Sequence, residues 1–190
     1  MMARGMPRAN PCAASPQASD ESVKIAMPTT KISGRVIGPD GVPTATVYFG
    51  AAGENFGQTG DDGNPMVTLG WTQTQINSVM NALNTSYTPI TGIHYVQTTD
   101  ASTATFRLAT DHSTQYGAYF DPQDPAFGAS QGVGVFNVDS GGFTIDASLQ
   151  QGGFSYAVVL HEFGHAHGLA HPHDTGGGSD IMLGVSASQG

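Results

Sequence analysis

The chain has 190 residues, enough for one domain with a hydrophobic core and short for two, since domains cluster at about 100–150 residues. Only 11% of the residues are charged, and 15 acidic against 6 basic groups give a formal charge of −9; that balance repels a phosphate backbone and excludes nucleic acid and anionic membrane surfaces as partners. A single cysteine, Cys12, excludes an intrachain disulfide and any cysteine-built zinc knuckle, so a metal site here must use histidine and carboxylate.

Residues 1–30 mix Arg4, Arg8, prolines and small side chains. They lack the continuous apolar stretch of a secretory signal peptide, and they are expected to be a disordered leader or propeptide ahead of one domain over 31–190. Ile32, Val36 and Ile37 precede Gly38-Pro39-Asp40-Gly41, and a β-rich stretch from Thr44 to Phe49 follows, which predicts a hairpin. After a glycine-rich passage over 50–70, Thr72 and Gln75 form a capping-box pattern ahead of Ile76, Val79, Met80 and Leu83 at helical spacing. A helix from about Trp71 to Asn84 is expected. Strands are expected over 92–97 and 104–110, the second with Thr105 and Arg107 outward and Phe106 and Leu108 inward. Shorter ones follow at 117–120 and 132–138. A second helix should begin near Gly153 or Phe154, run apolar on most of its circumference and therefore buried, and stop at Gly168 in a left-handed turn. No run reaches the eighteen or so apolar residues of a membrane span.

That second helix carries the chemistry. His161 and His165, four apart, leave one helix face a turn from each other and can converge on one ion. Glu162 is rotated by about 100° from His161, which keeps it off the metal and directs it toward a metal-bound water as a general base. Gly168 lets the chain reverse so that His171 returns as a third nitrogen ligand. Three neutral imidazoles around zinc leave one tetrahedral position open, the mark of a catalytic site. His167 lies off the ligand face, near a helix C-terminus whose dipole favours an imidazolium.

The full pattern, H-E-x-x-H-x-x-G-x-x-H over His161–His171, resembles the metzincin zinc metallopeptidases, of the serralysin-like or matrixin-like kind. A methionine turn beneath the zinc is the family's other signature, and Ser179-Asp180-Ile181-Met182 is similar to it, eleven residues after His171. The upstream order of strand, helix, strand and two further strands is similar as well. The resemblance implies an α+β, zincin-like fold, a mixed twisted sheet with an active-site helix. It also implies one catalytic Zn²⁺ on His161, His165 and His171, with Glu162 catalytic and Met182 and Gly168 supporting the ligands from outside the coordination sphere. Family members continue beyond the methionine turn with a wall of the S1′ pocket and a terminal helix, whereas Gly190 lies eight residues past Met182, so a short or truncated C-terminal part is expected. Serralysins place a tyrosine two residues after the methionine; Gly184 stands there in this chain.

The activity so implied is hydrolysis of protein or peptide substrates, in an extracellular setting. Asp121 and Asp139 are loop carboxylates that would suit Ca²⁺, though no motif supports a calcium site. The contrasting reading is a non-catalytic, zinc-containing binding or adhesion module. The stretch from Lys31 to Gly50 is similar to the opening hairpin of a carboxypeptidase-regulatory-like β-sandwich, and such a module has no use for Glu162.

Overall fold

The computed structural model describes residues 36–139, 143, 146–169 and 171. The leader at 1–30, Cys12 and Met182 with its turn lie outside the described residues. The elements are β1 (Val36–Ile37), β2 (Pro43–Phe49), α1 (Gln73–Ala82), α2 (Thr88–Thr91), β3 (His94–Thr98), β4 (Phe106–Asp111), β5 (Ala118–Phe120), β6 (Val133–Asn137) and α3 (Phe154–Ala166). This is an α+β arrangement around one mixed, mostly parallel sheet. None of the described helices is long and apolar enough to cross a membrane.

β1 and β2 form the expected antiparallel hairpin, with Val36 opposite Thr44. β2 then pairs in parallel with β3 along Thr44–Tyr48 and with β4 from Val47 to Phe49. Because Thr44 has partners in β1 and β3, and Val47 in β3 and β4, one side of β2 is lined by β3 and the other is shared by β1 and β4. β6 lies parallel to β4, and β5 closes the far side antiparallel to β6, with Tyr119 opposite Val135. β2 is thus an interior, parallel strand, unlike the opening strand of an antiparallel sandwich.

Both faces of the sheet are covered, as parallel sheets require. On one face Val47, Phe106, Leu108 and Phe136 pack with Val79, Leu83, Val159 and Phe163 of the helical layer. On the other, Ala109, Val133 and Val135 pack under Phe56 and Met66 from the 50–70 loop. This corrects the expected polarity of β4. Thr105, expected outward, is 2% exposed, and its hydroxyl accepts from the Thr46 amide at 3.1 Å. Arg107 lies partly beneath the loop, its guanidinium 5.6 Å from the Phe56 ring centroid.

The α1 capping box is formed on both sides: the Thr72 hydroxyl accepts from the Gln75 amide, and the Gln75 side chain accepts from the Thr72 amide. The helix does not stop at Asn84. A π-helical turn over Leu83–Tyr87 carries it into α2, which ends at Gly92 with φ 67°. Pro89 has no N–H to place in the ladder; one wider turn just before it, closed by the Thr88 amide on the Leu83 carbonyl, accommodates that loss. The consequence is that Tyr87 faces the core, where it meets α3.

Candidate metal centre

α3 begins after Gly153, with the Ser155 amide held by the Ser148 hydroxyl at 3.0 Å, and packs against β5 and α1. Its C-terminus is a Schellman turn. The Leu169 amide donates to the Gly164 carbonyl at 3.0 Å and the Gly168 amide to the His165 carbonyl at 2.8 Å, with Gly168 at φ 88°. Gly168 therefore stands where the sequence puts it, and for the expected reason.

The turn brings His171 back against the helix. Its Nε2 is 3.1 Å from Nε2 of His161, and that nitrogen is 3.2 Å from Nε2 of His165. A ligand atom from each of the three residues lies within 4.8 Å of the other two, close enough to hold one metal ion. Both separations are shorter than twice the zinc–nitrogen bond length of about 2.0–2.1 Å, so these imidazoles could share one ion. The Nδ1–H of His165 donates to the Leu169 carbonyl at 2.8 Å, which leaves its Nε2 lone pair for the ion. Sequence reasoning did not anticipate Leu169, because a backbone carbonyl has no side-chain signature.

Glu162 lies between the two helical histidines in sequence but is 6% exposed, whereas they are half-buried. Burial pushes its carboxyl up to about 7. Its Oε2 is buried without a hydrogen-bond partner, the one such side-chain atom among the described residues. A buried carboxylate oxygen left unsatisfied is costly. An ion on the adjacent imidazoles, with a water beside it, is the kind of group that would relieve it, so the residues present fit a metal.

His167 departs from its expected state. It is 7% exposed, and burial depresses its proton affinity, so it is a neutral core residue and not a dipole-stabilised imidazolium. The C-terminal dipole is the weaker effect once water is excluded. Asp121 and Asp139 stand apart: Asp121 accepts from the Gln58 amide at 3.3 Å, while Asp139 faces His112 at 2.8 Å. Among the described residues, His161, His165 and His171 form the only group of three or more metal-binding side chains.

Comparison with protein-family models gives no match to this chain, and comparison with curated proteins gives none either.

Proposed function

We propose that this chain is a zinc-dependent endopeptidase of the metzincin kind with a zincin-like fold, holding one Zn²⁺ on His161, His165 and His171. The observation that carries the reading is the pairing of three convergent Nε2 atoms with a buried, unsatisfied carboxylate on the same helix. A purely structural zinc site has four protein ligands and no need of such a neighbour. When bound, zinc would supply Lewis acidity, polarising a scissile carbonyl and acidifying water.

The chain's own residues supply the rest. Glu162 takes the proton of the attacking water and passes it to the leaving amine, and a proton affinity raised by burial suits a general base working near neutral pH. Leu169 and the Schellman turn hold His165 and His171 in line. Among the described residues β5 pairs with β6 alone, and its other edge is the one an extended peptide would join by main-chain hydrogen bonds. Such pairing requires no particular substrate sequence. The proposed substrates are proteins or peptides, and an extracellular setting follows from the family resemblance alone.

The test is zinc content measured beside cleavage of casein, for wild type and Glu162→Gln, with and without a chelator. Wild type should retain about one zinc and cleave in a chelator-sensitive way. Glu162→Gln should retain the zinc and lose about 10²- to 10⁴-fold in turnover. Zinc retention without cleavage, both in this chain and in a version extended beyond Gly190, would leave a zinc-containing binding module in place of a peptidase.

A further inference from the structure

We propose that His167 is a positioning residue that, with Tyr95 and Tyr87, clamps the last turn of α3 and thereby preorganises the metal ligands on either side of it. The inference rests on reading the three imidazoles as a zinc site. It starts from a polar side chain in an apolar place: His167 is packed among Phe106 and the two tyrosines and is 7% exposed, where a leucine would satisfy packing alone.

Both ring nitrogens are used. Nδ1–H donates to the Phe163 carbonyl one turn back, which fixes the tautomer and leaves Nε2 to accept the Tyr95 hydroxyl at 2.6 Å. Tyr95 stands on β3, so this bond ties the helix end to the sheet. Tyr87, turned inward by the π-helical turn, stacks on the imidazole with centroids 4.9 Å apart and planes 4° from parallel. Its hydroxyl donates to the Leu160 carbonyl. The clamp therefore holds α3 at Leu160, just before His161, and at His167, between His165 and the Gly168 turn that delivers His171.

A helix end held only by apolar packing keeps some freedom to rotate about its axis, and even a small rotation would move imidazoles that must meet within a few tenths of an ångström. Two directional bonds from separate elements remove that freedom. Groups that orient metal ligands without touching the ion typically contribute 10- to 100-fold to metal affinity.

The experiment measures zinc affinity by competition with a chelator for wild type, His167→Leu, His167→Gln and Tyr95→Phe, at a temperature where circular dichroism shows each folded. His167→Leu and Tyr95→Phe should bind zinc about 10- to 100-fold more weakly, with altered cobalt(II) d–d absorption. His167→Gln places an amide oxygen near the position of Nε2 and should recover most of the affinity. A residue that merely stabilised the fold would lower the melting temperature and leave affinity and spectrum unchanged. Should His167→Leu fail to fold, Tyr95→Phe decides, since it removes one oxygen atom. Wild-type affinity in both Tyr95→Phe and any folded His167→Leu, or a loss in His167→Gln as large as in His167→Leu, overturns the clamp while leaving the zinc site standing. Failure of wild type to bind zinc overturns the site, and the clamp with it.

Discussion

Replacing Glu162 by glutamine in the metal-free protein should stabilise it, and only above a defined pH. Burial raises the carboxyl from its ordinary 4.5 to about 7. Below pH 4.5 the acid is neutral in both folded and unfolded chains, and the amide is a near-isosteric equivalent. Between 4.5 and about 7 the unfolded chain releases its proton while the folded one retains it. Stability contributed by the neutral acid is therefore lost as pH rises through that window, and above it the folded state carries a buried anion. At about 1.4 kcal/mol per pH unit, the difference reaches about 3 kcal/mol. The substituted amide cannot ionise and escapes the loss. Urea unfolding of the two metal-free proteins at about pH 4.5 and about pH 8 measures it: comparable stabilities at the lower pH, and Glu162→Gln more stable by about 2–4 kcal/mol at the upper. Bound zinc should shrink the gap, because a nearby cation favours the carboxylate. A gap that is absent at the upper pH, or as large at the lower, would refute the claim that loss of water around Glu162 is what raises its proton affinity.

Gly168→Ala places a Cβ at φ 88°, where no atom of the described residues beyond its chain neighbours lies within 4 Å, so backbone strain sets its effect: about 1–2 kcal/mol of stability by denaturant titration, accompanied by weaker zinc binding as the path to His171 shifts. Within residues 36–190 trypsin has a single site, after Arg107, because every other lysine and arginine precedes Val36. That residue is paired with Tyr48 of β2 on one side and Val133 of β6 on the other, its guanidinium donating to the Ala129 and Gln131 carbonyls, so cleavage there requires the sheet to open. Zinc at about 100 times its dissociation constant should slow cleavage at Arg107 about 100-fold; an unchanged rate would mean that the metal turn opens independently of the sheet.

Local signals were legible in the sequence because they depend on neighbours in the chain. A four-residue spacing places His161 and His165 on one helix face whatever surrounds them, and glycine at 168 is favoured because φ 88° disfavours any side chain. The Thr72–Gln75 box and the 36–49 hairpin are of the same kind. What the sequence alone misjudged depends on atoms far along the chain. Thr105 alternates like a surface residue, yet the strand order places it against Thr46, 59 residues away. The helix expected to end near Asn84 runs on, because one π-helical turn carries it into Thr88–Thr91 and turns Tyr87 inward. His167, off the ligand face and near a helix C-terminus, reads as an imidazolium favoured by the dipole. Tertiary packing brings Tyr87 and Tyr95, the latter 72 residues away in the chain, against its ring, and the loss of water makes it neutral. The convergence of the three imidazoles is thus a property of one short segment, while the charge state and orientation of the groups around it are set by desolvation and by contacts that exist only once the sheet and helices have assembled.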